Sequence, residues 1–435
     1  MSKAYRSKLP FWTVPMIYAG STIVVGLVFP RLEYHYLSAY RHGMTVSVAI
    51  AVFSSVASGM LALTGIVFSL AFVMVQFSSI AYSPRLVLWF SRDPVISHAM
   101  GIFTATFIYS LVALGWVDRN ADGRVPFFST WLVIILVIAS VMVLALLVQR
   151  LAALQVQGVI AFIGERGRQV IGETYPVVLA TDRDQKTVTQ PPVSPTLTLP
   201  ATQVLLHSGE PEAISKYDVP ALVELAKQAE GVIVMPLAVG DSVIEGDAIL
   251  TVHGERCTLA AADLRRAIRL EHQRTFDQDP NYALRLLVDV AIKALSPAVN
   301  DPTTAVQALD EIEDLLRRIG TRHLEVGQVK DEGGVLRLIF PTPTWEDFLS
   351  LAFDEIRFYG ATSLQVMRRL RAALYDLHRV VAPSRQKAVR HYIDHVDFTV
   401  KHSISDTEDQ TTALRQDRQG LGLSRSDKLK ETPTR

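Results

Sequence analysis

Four stretches within the first 151 residues are apolar over lengths typical of membrane-spanning helices. A helix needs about 20 mainly apolar residues to cross the hydrocarbon core, because it rises about 1.5 Å per residue across about 30 Å. The stretches run from about Phe11 to Phe29, Met44 to Ala81, Ser97 to Val117 and Phe127 to Leu151, and Pro30 is expected to end the first. The sequence therefore predicts an α-helical membrane domain with four spans over residues 1–151.

The second stretch is longer than one span requires. No charged residue occurs between Gly43 and Pro84, and a helix from Met44 to Ala81 would extend roughly 57 Å. Two full spans and a turn would need more than about 40 residues, and no cluster of turn residues interrupts the run. One long helix that projects beyond the bilayer is the favoured interpretation. A re-entrant break near Ser58-Gly59 is the alternative.

Basic residues near the ends of the spans predict the topology, because loops on the cytoplasmic side carry an excess of Lys and Arg. With four spans, eight basic residues lie near one membrane face and four near the other. The eight are Lys3, Arg6, Lys8, Arg85, Arg92, Arg150, Arg166 and Arg168, and the four are Arg31, Arg41, Arg119 and Arg124. Both termini are therefore predicted to lie in the cytoplasm.

One face of the second span collects small and polar residues, which suggests a pore lining. At about 100° per residue, a single face carries Ser47, Ser54, Ser58, Gly65, Ser69, Phe72 and Gln76. The opposite face is aliphatic and is expected to face lipid. Small residues allow close helix packing in lipid, so packing is one interpretation. The other is a pore lining in which hydroxyls and one amide face water and Phe72 forms a hydrophobic constriction.

The rest of the chain is predicted to be a cytoplasmic α+β domain. A helical extension over residues 152–180 and a Pro-rich linker over 181–200 precede a small α/β module over 201–256. Strands are predicted near 203–207, 232–237 and 248–252, and a helix after Asp218. A mainly helical part covers 257–402 and includes a helix at 263–273 and a strand at 335–340. The polar tail, residues 403–435, is predicted to be disordered.

Polar residues concentrate between Arg274 and Ala305, where helix starts could hold a ligand or form an interface. Asp301 and Pro302 are typical of a helix N-terminus, and the free amides of such a terminus can bind an anion. Structural capping, with Arg274 pairing to Asp277 or Asp279, is the other interpretation. The residues predicted to serve a ligand or an interface are Arg274, Asp277, Asp279, Asn300, Asp301, Thr303 and Thr304.

No motif in the sequence names a reaction, so the chain is not predicted to be an enzyme, and no cofactor or metal is expected. The chain lacks a P-loop, a Rossmann glycine pattern and a nucleophile elbow. His391, Asp394 and His395 share a helical face that could ligate zinc, but ordinary charges surround them. Cys257 is the only cysteine. The 43 basic and 43 acidic residues balance, so charge gives no reason to expect nucleic acid as a partner.

Two segments resemble known families. The stretch from Val239 to Leu250 is similar to half of a biotinyl- or lipoyl-type flattened barrel, without the lysine that carries the cofactor. The runs Ser58-Gly-Met-Leu-Ala-Leu-Thr-Gly, Arg274-Thr-Phe-Asp-Gln-Asp and Ser296-Pro-Ala-Val-Asn-Asp-Pro-Thr-Thr resemble a family of bacterial predicted inner-membrane proteins with a domain of unknown function. That resemblance implies a bacterial inner-membrane protein with the same two-part layout, and no catalytic residues.

These features favour a homo-oligomeric pore or ion channel in which the second span lines the path and the cytoplasmic domain forms a vestibule or gate. One helix per subunit cannot enclose a path, so the expected partners are other copies of the chain, membrane lipid and ions. The alternative is a non-conducting scaffold or sensor whose cytosolic domain binds a ligand or partner.

Overall fold

The computed structural model describes residues 12–36, 45–81, 94–118, 125, 127–152, 156–177, 200–254 and 258–422. The chain divides into two compact units, Met1–Val156 and Gln157–Arg435. The predicted linker, except for its last residue Pro200, lies outside the described residues, and so does Cys257.

The first unit consists of four long helices in its described part: α1 (Thr13–Tyr36), α2 (Val46–Ala81), α3 (Pro94–Asp118) and α4 (Phe127–Ala152). Each contains a segment long and apolar enough to cross a membrane, namely Thr13–Glu33, Val46–Leu70, Val95–Val117 and Phe127–Gln149. The four predicted spans are therefore confirmed.

Side-chain contacts show that the four helices alternate in direction. Tyr18 and Arg31 of α1 contact His98 and Trp116 of α3, so these two helices run in parallel. Near the end of α1, Glu33 contacts the start of α4. The clusters that join α2 to α3 pair the start of each with the end of the other. The chain thus enters and leaves this unit at the same end of the bundle.

Two details of the spans were decided by the fold. Helix α2 is continuous over 36 residues, or about 54 Å, so the re-entrant alternative is wrong. Helix α1 continues through Pro30 to Tyr36, so the prediction that Pro30 ends it is also wrong. Membrane helices tolerate proline because their neighbours satisfy the backbone groups that it frees, and the extra turn carries Glu33 to its contact with α4.

The second unit begins with α5 (Val156–Thr174) and continues as an α+β domain, which confirms the predicted fold class. Its first part contains β1 (Ala201–Leu206), β2 (Glu212–Tyr217), α6 (Val219–Gln228), β3 (Val232–Val234), β4 (Ser242–Val243), β5 (Ala248–His253), α7 (Ala261–Arg266) and β6 (Ile268–Glu271). The remainder contains α8 (Pro280–Ala294), α9 (Pro302–Ile319), β7 (Gln328–Lys330), β8 (Leu336–Ile339), α10 (Trp345–Tyr359), α11 (Leu364–Val380), α12 (Pro383–Ser403) and α13 (Thr407–Ala413).

The strands form two small sheets around one core. The five-stranded sheet has the order β1-β5-β3-β8-β7 and the three-stranded sheet the order β4-β2-β6. Strands β4 and β5, which flank the second of two Gly-Asp turns, pair with different partners and lie in different sheets. The segment 239–250 is therefore a crossover between sheets, and not the hairpin that its resemblance to a flattened barrel suggested.

The last five long helices pack side by side. Arg285 of α8 contacts Glu355 of α10, and Leu295 at the end of α8 lies beside Gly360 at the end of α10, so these helices run in parallel. Helix α12 runs parallel to α10, because Trp345 contacts Arg385 near their starts and Arg357 contacts Thr399 near their ends. A side chain at Gly320, at the end of α9, would meet Trp345 at the start of α10 and Val381 at the end of α11. Helices α9 and α11 therefore run in the opposite direction to the other three.

Two predicted segments differ from the structure. The helix expected over 263–273 ends at Arg266, and Ile268–Glu271 pairs with β2 as strand β6. As far as residue 422, the tail expected to be disordered from 403 forms α13 and a turn in which Asp417 is buried and accepts three backbone hydrogen bonds. The tail is anchored there because Arg371 donates to the Leu414 carbonyl and Gln365 to the Gly420 carbonyl. Residues 423–435 of that predicted tail lie outside the described residues.

Candidate functional site

The small, polar face of α2 points away from the rest of its own unit. Ser47, Ser58, Gly65 and Ser69 are exposed and Ser54 is half-buried, while the Phe72 side chain is 58% exposed. A side chain built at Gly65 would meet no atom within 4 Å. The side chain of Gln76 lies outside the described residues. The predicted pore-lining residues that can be placed therefore share one outward face.

Most of the aliphatic face of α2, which was expected to face lipid, packs inside the bundle instead, and Leu70 is the exposed exception among its described side chains. Met60 and Val67 are buried, and Val52, Val56 and Leu63 pack against clusters formed with α3 and α4. That expectation was wrong because periodicity separates the two faces of a helix without showing which neighbour each one meets.

Several hydroxyl groups of α3 and α4 are turned inward. Thr106 of α3 and Ser140 of α4 are fully buried, and their hydroxyl oxygens are 3.1 Å apart. Each hydroxyl also lies within hydrogen-bond distance of a backbone carbonyl of its own helix, one turn earlier. Since a hydroxyl has one proton, one of the two donates across to the other helix and the second donates to its own carbonyl. In lipid, such bonds between helices are a means of association. Hydroxyls on α3 and α4 thus have partners inside the bundle, whereas those of α2 face outward.

A buried acidic side chain, which sequence reasoning missed, fastens α1 to α4. The Glu33 carboxylate accepts hydrogen bonds from the backbone N–H of Phe128 at 2.8 Å, and from the N–H and hydroxyl of Ser129 at 3.1 Å and 3.0 Å. The amides at the start of a helix lack partners within that helix, and the helix dipole favours an anion there. Glu33 is therefore a cap supplied by another helix.

In the second unit, the run Arg274–Asp279 joins the β-strands to the helices. Thr275 and Asp277 hydrogen-bond to the Ser215 hydroxyl of β2, at 2.8 Å and 3.2 Å. The Gln278 side chain accepts from the backbone N–H of Tyr217 at 2.9 Å. Phe276 is buried between the rings of Phe162 and Tyr282. The run therefore contacts β2, α5 and α8 at once.

Arg274 forms an ion pair with the buried carboxylate of Asp279. Asp279 also caps α8 by accepting from the Tyr282 N–H at 3.2 Å. Burial raises the pKa of the Asp279 carboxyl, and the Arg274 guanidinium and backbone N–H groups act against that rise. The guanidinium of Arg274 lies over Gly240, where a side chain would come within 2.6 Å of it. Of the two partners predicted for Arg274, the structure places it on Asp279.

A surface cleft of about 240 Å³ lies beside this ion pair. It is lined by Arg274, Asn281, Arg285, Asp347 and Leu351. Arg285 is engaged by Asp289 and Glu355, and the Asp347 carboxylate closes a capping box at the start of α10. The cleft thus offers the outer edge of Arg274 and the amide of Asn281 to a small polar ligand.

The second predicted group lies in the loop between α8 and α9. Asn300 adopts a left-handed backbone conformation with φ of 49°, which Asn tolerates better than most residues. Asp301 accepts from the backbone N–H of Thr304 at 3.2 Å and from its hydroxyl at 2.6 Å, while Thr303 is exposed. Asp301 thus occupies amides that an anion would need, and the structure separates this group from the cleft residues.

Replacing Asp301 tests the capping role. Because Asn caps a helix nearly as well as Asp, we expect Asp301→Asn to be mild, whereas Asp301→Ala should lower local stability by about 1 kcal/mol. Hydrogen exchange of the α9 amides measures both. Loss of function in Asp301→Asn with unchanged exchange would show that the charge itself matters.

Helix α5 is anchored in the second unit along an apolar face. Gly164 and Gly167 permit close approach, because a side chain at Gly167 would lie 2.8 Å from a methyl group of Leu315. Arg168 adds ion pairs to Glu311 at 2.7 Å and Asp314 at 3.0 Å. Burial alone would raise the pKa of Asp314, but Arg318 and Arg168 hold it below its ordinary value. The segment that follows the last span is thus fixed to α9.

The structure does not gather a metal site among the residues that it describes. In those ranges, no group of three His, Cys, Asp or Glu side chains is placed to hold a metal ion. The rings of His391 and His395 have centroids 5.8 Å apart. Burial and the nearby Arg357 lower the pKa of His395.

Comparison with known proteins identifies a family that covers most of this chain. The model of a family described as predicted membrane proteins, DUF2254, matches residues 8–376. The chain belongs to the DUF2254 family. The matched range contains the four spans and the second unit as far as α11, including α2, the run at Arg274 and the Asp301 cap, so the family resemblance expected from those motifs is confirmed.

Two mycobacterial proteins are similar to this DUF2254 chain over most of its length. Each is titled only as an uncharacterised protein: Rv1290c of Mycobacterium tuberculosis (strain H37Rv) and Mb1321c of Mycobacterium bovis. Each is 29% identical over 371 residues, which cover 82% of this chain and 69% of the relative. No solved structure matches the chain.

Proposed function

We propose that this protein assembles in the membrane as a homo-oligomer in which the outward face of α2 lines a central path for ions or small solutes. The observation that supports this proposal is the orientation of α2. Met60 and Val67 of its aliphatic face are buried within the subunit, whereas its exposed small residues, Ser47, Ala51, Ser58, Ala62, Gly65 and Ser69, are left for an outside neighbour. The larger apolar side chains of Leu61, Ile66 and Phe68 are exposed beside them.

The physical argument concerns what that neighbour is. Lipid gains little from contact with hydroxyls and glycines, whereas small residues let a second helix approach closely. Water would solvate the hydroxyls, and the Phe72 ring on the same face would form a hydrophobic constriction. A water-filled path requires further copies of α2, because one helix cannot enclose it. A homo-oligomer with closed symmetry supplies those copies, and it also supplies the second helix of a packed interface.

Thiol labelling tests whether water reaches the face. In a Cys257→Ser background, single cysteines replace Ser47, Ser58 or Ser69, and a small hydrophilic thiol reagent is applied to the protein in membranes. The reagent attacks the thiolate, which forms in water and scarcely in lipid or a dry interface. We expect the three positions on α2 to label. Ile135 and Val141 of α4, each 58% exposed, are controls for lipid, and Val67 is the control for a packed interior.

Conductance and cross-linking decide among the remaining outcomes. If α2 lines a path, Phe72→Ala should raise ion leak in reconstituted vesicles, and the cysteine at Ser58 should form disulfides between subunits. Cross-linking without labelling or leak would show a dry helix interface and overturn the pore. If the cysteines show neither cross-linking nor labelling, the proposed homo-oligomer itself is overturned.

A non-conducting sensor is the second candidate, favoured by the cleft at Arg274 and Asn281. Two residues along the chain from Arg274, the buried Phe276 packs against Phe162 of α5, and α5 follows the last span. A ligand in the cleft would therefore lie near the contact between Phe276 and Phe162, which helps to hold α5. If the cysteines on α2 are not labelled, the result supports the sensor over the pore.

A further inference from the structure

A surface of exposed aromatic and basic side chains lies on the outer side of α10 and α12. The side chains of Phe358 and Phe398 are 70% and 56% exposed. A hydrogen bond of 2.8 Å from Arg357 to Thr399 joins the residues next to them, so the two phenylalanines lie at the same level on adjacent parallel helices. The two rings therefore form one exposed apolar patch, and such a patch rimmed by polar residues marks an interaction surface.

Basic residues flank these rings. Along the exposed stripe of α12 lie Lys387, Arg390 and Lys401, with Asp394 as the one acid among them. No described residue forms an ion pair with any of the three cations. His402 stacks on the Phe398 ring with centroids 3.9 Å apart. We define Phe358, Phe398, Lys387, Arg390, Lys401 and His402 as the aromatic–basic surface.

From this arrangement we infer that the aromatic–basic surface docks on the bilayer and binds anionic lipid headgroups. Phenylalanine side chains beside Lys and Arg are typical of surfaces that insert at the boundary between headgroups and acyl chains, and basic side chains are attracted to anionic lipid within a Debye length. The bilayer is close to the second unit along the chain, because the last span ends at Gln149 and the second unit begins at Gln157. A tether of a few residues gives the bilayer a high effective concentration. This inference does not depend on the proposed pore.

Fluorescence quenching in nanodiscs tests the docking with the full chain. In a Cys257→Ser background, Asp394→Cys carries a dye at the centre of the surface, and nitroxide-headgroup lipids act as quencher. Discs contain either phosphatidylcholine alone or a mixture with phosphatidylglycerol. We expect strong quenching in the anionic discs, weak quenching in phosphatidylcholine, and loss of quenching at high salt.

Charge neutralisation identifies the residues responsible. At roughly 5-fold per basic residue, Lys387→Gln, Arg390→Gln and Lys401→Gln together should lower the docking equilibrium about 100-fold. Phe358→Ser and Phe398→Ser should weaken it further. The matched control neutralises three exposed cations of the β-sheets and α7, Lys216, Lys330 and Arg266, and should leave quenching unchanged. Hydrogen exchange of α10 and α12 confirms that the variants are folded.

Two results would overturn the inference. Equal quenching in both lipids, unaffected by the α12 triple variant, would show docking without recognition of anionic headgroups. Quenching in neither lipid would show that the surface stays in water and is left for a protein partner or a second copy.

Discussion

Arg369→Ala is expected to destabilise the pairing of α9 and α11 by about 3–5 kcal/mol, because the buried carboxylate of Glu313 loses its buried partner. Glu313 would retain only the more exposed Arg317, at 3.3 Å. The Arg369 side chain is 6% exposed and donates to Glu313 and Asp310, each at 2.6 Å. Burial alone would lower the pKa of the guanidinium, but the two carboxylates raise it, so Arg369 stays charged. Hydrogen exchange of the α9 and α11 amides in the full chain should accelerate by about 100-fold or more.

Two further variants separate burial from pairing. Arg318 and Asp314 form an exposed pair of i,i+4 spacing on α9, so Arg318→Ala should cost less than about 1 kcal/mol. Replacing both buried partners, as Arg369→Met with Glu313→Leu, should recover most of the loss, since apolar residues can substitute for a buried ion pair. A double variant as unstable as Arg369→Ala would contradict this account.

Gly167→Leu is expected to release α5 from the second unit. The first side-chain carbon alone would lie 2.8 Å and 2.9 Å from the Leu315 methyl groups and 3.0 Å from Ala283, and overpacking a tight contact costs about 1–3 kcal/mol. Because Leu315 and Ala283 are fully buried, neither can move aside. Proteolysis and hydrogen exchange along α5 should both increase.

Gly172→Leu is the matched control for that variant. Gly172 lies on the same helix, and a side chain there would meet nothing within 4 Å. Both substitutions raise helix propensity, so they differ only in the contact with α8 and α9. Equal exchange in the two variants would show that Gly167 has no role in anchoring α5.

The sequence by itself determined the elements that follow from local chemistry. Four apolar runs fixed four spans, because no other structure buries so long an uncharged segment. Asp301 before Pro302 marked the start of α9, since such a side chain satisfies free helix amides and proline at the first position lacks the N–H that would need a partner. These rules operate within a few residues, so they can be seen without the fold.

The tertiary structure decided everything that depends on a distant neighbour. The periodicity of α2 separated its two faces, but only packing against α3 and α4 showed that the serine face is the outer one. Residues 268–271 are a strand because β2 lies beside them. The tail is ordered as far as residue 422 because α11 supplies Arg371 and Gln365 as donors. Glu33 caps a helix whose first residue lies more than ninety positions away in the chain. In each case the stabilising group belongs to another element. The local sequence does not predict which element that will be.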